Sequence, residues 1–192
     1  MKAFSIIAFL LAFLSGGNNV YTPGHMPLAK KGIIDLTAWS YDDNGFIYLN
    51  GEWEFYWNKL LSPGEIVETE QKKYRDILDS WKDDGYATYK LKIKLKDPGR
   101  YAIYTPMVLI AHKLWIDDNL IGAQGIVGTS RDAENPKIQN YIEEVYLTEG
   151  IHNITIQVSN YRLQTGGVRL PISFGKYKDL QDYRELKLFI EA

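Results

Sequence analysis

From Glu52 to Trp57 the chain alternates strictly. Trp53, Phe55 and Trp57 fall on one side, and Glu52, Glu54 and Tyr56 on the other. A period of two marks a strand with one apolar face and one wet face. Two Trp and one Phe on one face predict a thick core of the kind formed between packed sheets. Asn50-Gly51 just ahead is a tight-turn pair. The alternation returns from Tyr89 to Leu95, where Tyr89, Leu91, Ile93 and Leu95 are interleaved with Lys90, Lys92 and Lys94. It returns again over His152–Ser159, where Ile154, Ile156 and Val158 alternate with Thr155 and Gln157. Shorter strands are predicted at 33–36, 46–49, 100–104, 107–111, 113–116, 120–123, 140–147 and 170–174. Residues 65–80 read as a polar excursion with a short helix. Near the end, Leu180, Tyr183 and Leu186 are spaced i, i+3 and i+6, which predicts a helix over 177–192. Many short strands between regular turn signals predict an all-β sandwich or barrel.

The first residues follow another pattern. Lys2 precedes an apolar run from Ala3 to Leu14, broken only by Ser5, and Ser15-Gly16-Gly17 supplies small residues. This predicts an export signal over 1–17, with an uncleaved anchor as the alternative. The run is short of the roughly 20 residues that span a bilayer. Residues 18–32 form an N-terminal extension, and 33–176 the sandwich. The expected location is the periplasm or the extracellular face of the cytoplasmic membrane. The chain has no cysteine, so packing alone must hold an exported domain together. The formal charge is −2, and removing Lys2 with the signal makes it −3. That balance gives no nucleic-acid footprint. The 14 Tyr and 5 Trp fit β-sandwich packing and also sugar-contacting surfaces.

Candidate chemistry is sparse. Asp42-Asp43, Asp83-Asp84 and Asp117-Asp118 each run into Gly or Asn, which is turn chemistry rather than a hydrolytic carboxylate pair. His25, His112 and His152 share no ligand spacing and read as unrelated surface or edge residues. No metal, cofactor or catalytic residue is expected. Three loop clusters are better candidates for holding a polar ligand. Trp81, with Tyr86 after the Asp83-Asp84-Gly85 turn, offers a stacking platform, or else plugs the end of the sandwich. Arg131, in the 125–131 loop, offers a planar fork for hydroxyls or a carboxylate, or else ties the loop down. Asn160, Arg162 and Arg169 flank Gly166-Gly167, with turn chemistry as the competing reading. At least two of the segments 81–86, 125–131 and 160–169 are expected to converge.

Several motifs carry a resemblance. Gly51-Glu52-Trp53-Glu54-Phe55-Tyr56-Trp57 is followed by Asp84-Gly85-Tyr86-Ala87-Thr88-Tyr89 and by Lys113-Leu114-Trp115-Ile116-Asp117-Asp118-Asn119-Leu120. Then come Gly125-Ile126-Val127-Gly128-Thr129-Ser130-Arg131 and Gln157-Val158-Ser159-Asn160-Tyr161, with Gly166-Gly167 and Pro171-Ile172 beyond. In this order they resemble the extracytoplasmic sensor domain of bacterial seven-transmembrane receptors with diverse intracellular signalling modules. Asp118 stands where that family usually has Gly. The resemblance implies a jelly-roll, galactose-binding-like β-sandwich. It implies a non-catalytic sensor that binds a small, carbohydrate-like ligand. Its partner would be a transmembrane signalling region beyond the C-terminal helix. The same fold also serves as a non-catalytic carbohydrate-binding module of glycoside hydrolases, which is the alternative.

Overall fold

The computed structural model describes residues 26–67, 72–108, 110–137 and 139–191. The expected export segment and His25 lie outside the described residues. The chain folds as an all-β sandwich with a C-terminal helix. Its first elements are β1 (Ile33–Asp35), α1 (Tyr41–Asn44), β2 (Ile47–Tyr48), β3 (Glu52–Trp57) and β4 (Tyr74–Asp76). Then come β5 (Gly85–Leu95), β6 (Gly99–Val108), β7 (Ala111–Ile116) and β8 (Asn119–Gln124). β9 (Gln139–Leu147), β10 (Gly150–Asn160), β11 (Ser173–Lys176) and α2 (Tyr177–Glu191) complete it. The larger sheet has the order β4-β3-β5-β10-β7-β8, and the smaller one β2-β11-β6-β9. β1 joins the larger sheet as a parallel partner of β5, beyond the end of β3.

β5 and β10 pair along their whole length, from Gly85↔Asn160 to Leu95↔Gly150. This register sets Tyr89 beside Ile156 and Leu91 beside Ile154, all facing inward and buried. Lys92 and Lys94 point out and are exposed. Lys90 is half-buried because the segment after β3 crosses the outer face. There Leu61 donates its N–H to Thr88 Oγ1 at 2.9 Å, and Gln157 Nε2 donates to the Leu61 carbonyl at 3.1 Å. The smaller sheet supplies Ile47, Tyr101, Ile103 and Phe174 to the same core. Trp53 is wholly buried, and its indole N–H donates to the Leu49 carbonyl at 2.9 Å. Phe55 and Trp57 are only half-buried, because β3 runs toward one end of the sandwich.

A second apolar cluster covers the outer side of the smaller sheet. Leu180 of α2 is buried there against Phe46, Ala102 and Tyr104, with Tyr183 beside them. The close approach needs a glycine. A Cβ on Gly175 would stand 2.6 Å from the Phe46 Cβ. Polar residues 72–80 hold a short edge strand, β4, rather than the expected helix; it pairs with β3. The expected strand at 107–111 is divided between the end of β6 and the start of β7. Pro106 lies where the β6–β9 register shifts, between Thr105 and Val108, as expected of a residue that cannot donate to a ladder.

Neither described histidine is a surface residue, which corrects the sequence expectation. The strand period places His112 on the inner face with Leu114 and Ile116. It is buried, with Nε2 3.0 Å from the Tyr141 hydroxyl. His152 is also buried; Nδ1 lies 2.7 Å from Asp117 Oδ2 and Nε2 lies 2.9 Å from the Thr148 carbonyl. Burial pulls the His112 pKa down to about 4 from an ordinary 6.5. Because the folded value is the lower one, this contribution to stability is fully present above pH 6.5. It declines as pH falls toward 4, by up to about 3 kcal/mol in total. Urea melts across this range should show that loss, and His112→Gln should flatten the His112 part of it. An unchanged pH profile in the variant would contradict the assignment.

Candidate functional site

The β5–β10 register defines two ends of the sandwich. At the Gly85/Asn160 end, the three loop segments singled out in the sequence meet. Trp81 and Gly166 exchange backbone hydrogen bonds of 3.1 and 2.9 Å. Trp81 is 6% exposed and packs against Phe55, Trp57 and Tyr89, stacking on Tyr89 at 6.2 Å. A Cβ on Gly166 would lie 2.2 Å from its indole nitrogen. The ring plugs the sandwich, so it is not an open platform. A residue that large and apolar beside a half-covered strand end is drawn into the core.

Several polar groups at this end bond to the chain's own loops. Asn160 is buried; its side-chain amide donates to the Leu163 carbonyl at 2.8 Å and accepts from the Leu163 N–H at 3.0 Å. Arg131 donates to the Tyr161 carbonyl at 2.7 Å. Arg162 donates to the Arg131 carbonyl at 3.2 Å, and its Nε lies 3.9 Å from Glu134 Oε2. The buried Glu134 carboxylate accepts the Tyr161 N–H at 3.0 Å. Burial, with Tyr86, Glu134 and Asp84 nearby, pushes the Tyr161 phenol up. Tyr86 is half-buried. Arg169 is exposed, in left-handed backbone at φ 57°. Arg131 and Arg162 therefore fasten loop 126–135 to loop 160–163, which is the tie-down reading of Arg131. Trp81→Ala should cost about 3–5 kcal/mol in a urea melt. Arg169→Ala, at an exposed turn, should change stability by about 0.5 kcal/mol or less. The reverse order would restore Trp81 as a surface platform.

The opposite end carries an open cleft of about 480 Å³, built from four separate segments. Residues 37–42 form one wall, with Trp39 and Tyr41 half-buried against the core. Lys96 and Asp97, from the turn between β5 and β6, form another; Tyr101 and Lys176 close the floor. Tyr41 meets Tyr101 edge-on at 5.4 Å, and Tyr101 stacks on Phe174 at 5.2 Å. The Tyr101 hydroxyl donates to the Asp97 carbonyl at 2.7 Å. The Lys176 ammonium stands 4.5 Å from the Tyr101 ring centre and 5.7 Å from that of Tyr41. Such cation–ring contacts fix a long flexible side chain in place. Trp39 is held by its indole N–H, which donates to the Gly45 carbonyl at 3.2 Å. The Thr37 hydroxyl and N–H bind Asp35 Oδ1 at 2.6 and 3.0 Å and hold the Asp35 carboxyl below its usual range. The result is an open cleft with half-buried aromatic side chains in its wall, edged by hydroxyl, carboxylate and ammonium groups. Among the described residues, no group of three or more His, Asp or Glu is placed to hold a metal.

Sequence reasoning passed over Trp39, Tyr41, Tyr101 and Lys176. One local signal was present. Ala38-Trp39-Ser40-Tyr41 sets two aromatics beside the Asp42–Gly45 turn, as Trp81 stands beside its own.

No family model matches the chain, and no curated protein matches it in sequence. Solved structures share its fold. It is similar to a β-glucuronidase from an uncultured Clostridium sp. at 14% identity and a TM-score of 0.50, over 67% of this chain and 28% of that one. A GH2 β-galacturonidase from Eisenbergiella tayi bound to galacturonate gives 12% identity and 0.47, over 68% and 24%. A Faecalibacterium prausnitzii β-glucuronidase gives 11% and 0.48, over 69% and 31%. The chain therefore spans less than a third of the length of these enzymes. At such identities the likeness is one of fold.

Proposed function

We propose that this chain is a non-catalytic binding module that takes a small hydroxylated, carbohydrate-like ligand in the cleft beside Trp39. The observation that carries this reading is the cleft itself. A sugar ring presents one apolar face and several hydroxyls, so it needs a flat aromatic surface with fixed donors and acceptors around it. Trp39 and Tyr41 supply the first; Thr37, Ser40, Asp42, Asp97 and Lys176 supply the second. The sandwich supports the reading, because β6 and β11 bring Tyr101 and Lys176 up against Tyr41. The ordered sequence motifs extend the proposal to an extracytoplasmic sensor domain serving a transmembrane signalling region, exported by the apolar segment 3–14. An accessory carbohydrate-binding module of a glycoside hydrolase is the second form of the same binding role.

Hydrolysis by the chain itself is the competing chemistry, since Asp42 and Asp97 both line the cleft. Both residues are exposed to water. The general acid of a glycosidase is typically shielded from water by the walls of its site. Among the described residues no helix is long and apolar enough to cross a membrane.

Calorimetry with methyl β-galactoside, methyl β-glucoside and glucuronic acid tests the proposal. At least one should bind, and Trp39→Ala should weaken it about ten-fold or more, equivalent to ~1.4 kcal/mol. Arg131→Ala, at the other end, should leave binding unchanged. Binding lost with Arg131 and kept without Trp39 would move the site to the loops. Release of nitrophenol from aryl glycosides, abolished by Asp42→Asn or Asp97→Asn, would overturn the non-catalytic reading.

A further inference from the structure

One short segment has two faces. Its first residues, Trp39, Tyr41 and Asp42, line the cleft. Phe46 and Tyr48, a few residues on, seat α2. The Phe46 ring lies 4.7 Å from that of Tyr183 and packs with the buried Leu180. The Tyr48 and Tyr183 hydroxyls are 3.3 Å apart. The two halves are tied by the single turn α1, with Gly45 N–H donating to the Tyr41 carbonyl at 2.9 Å. The Trp39 indole closes the same loop by donating to the Gly45 carbonyl.

The floor of the cleft makes a second connection. Lys176, held against Tyr41 and Tyr101, is the last residue of β11, and α2 begins at Tyr177. Gly175 before it touches Phe46 so closely that no side chain fits between them. In the first turn of the helix, burial and the charges of Asp182 and Asp42 raise the Asp179 carboxyl. Asp42, on the cleft rim, is thus an electrostatic neighbour of the helix start.

We infer that occupancy of the cleft and docking of α2 on the smaller sheet are thermodynamically coupled through residues 39–48. This rests on the cleft being the ligand site. A ligand lying on Trp39 and reaching Lys176 restrains the 39–45 loop and the end of β11 together. Phe46 follows the first and α2 follows the second, so the docked helix and the occupied cleft favour one another. Coupling is reciprocal: whatever loosens the helix must weaken the ligand by the same factor. The helix seat is local enough to open without the central sheet, because it belongs to the outer cluster and not to the core between the sheets.

Hydrogen exchange measured peptide by peptide on the full chain tests this. Trp39→Phe keeps a ring in the cleft and removes the N–H that reaches Gly45. Amides of residues 180–186 should then exchange about five-fold faster or more, while those of β10 keep their wild-type rate. Unchanged exchange at 180–186, or an equal rise in both peptides, would overturn the coupling. The same comparison in Tyr183→Ala, read at residues 39–45, is the reciprocal arm and should show the same selective rise. If this variant exchanges at 39–45 as wild type does, the coupling fails. Any of the three sugars that binds in calorimetry should slow exchange at 180–186. Binding without that slowing overturns the coupling and leaves the binding role standing. If no sugar binds, that role fails, and the two variants still decide whether cleft and helix are coupled.

Discussion

The antiparallel ladder between β5 and β10 is the constraint on which everything else hangs. Eleven residues of each strand pair without a break. A slip of one residue would turn Lys90, Lys92 and Lys94 into the core and expel Tyr89, Leu91 and Ile93. No compact state tolerates three buried ammonium groups, so the register is fixed by charge as much as by hydrophobicity. The length of β5 then does two jobs on one edge. Its first half pairs with β3, bringing Phe55 beside Tyr89, and its second half pairs with β1, bringing Ile34 beside Ile93. The ladder also separates the two ends of the sandwich.

Those ends solve opposite problems. Where the loops converge, backbone is buried, and buried polar groups must find partners. Arg131, Asn160, Arg162 and one oxygen of Glu134 bond to the backbone of these loops. Their chemistry suits a sugar site, but each of them binds the chain's own backbone here. At the other end the aromatic side chains are braced from behind by the core, through Tyr101 on Phe174. Trp39, Tyr41 and Lys176 are held by ring contacts and by one indole hydrogen bond, and Asp42 and Asp97 beside them are exposed.

The fold was legible where the period was clean. Trp53, Tyr89, Leu91, Ile93, Ile154, Ile156 and Val158 are buried as the alternation requires. Short edge pairing was not legible: Tyr74–Asp76 carries no period of its own and is a strand only because β3 offers it an edge. The burial of His112 was legible in the strand period, which puts it on the inner face with Leu114 and Ile116, whereas the spacing among three histidines carries no information on burial. The meeting of the loop segments followed from strand order, but the burial of Trp81 depended on Gly166, more than eighty positions away. The cleft was the least legible feature. Its residues come from 37–42, 96–97, 101 and 176, and only the β5–β6 turn and the β11–α2 junction bring them together.

Under the proposed function, ligand meets the chain at the Trp39 end. The indole N–H resonances of the tryptophans report this directly. With ¹⁵N-labelled protein titrated with each methyl glycoside and with glucuronic acid, the Trp39 indole signal should shift in a saturable way while that of Trp81 stays in place. A saturable shift at Trp81 with Trp39 unmoved would contradict the account and return the site to the loop end.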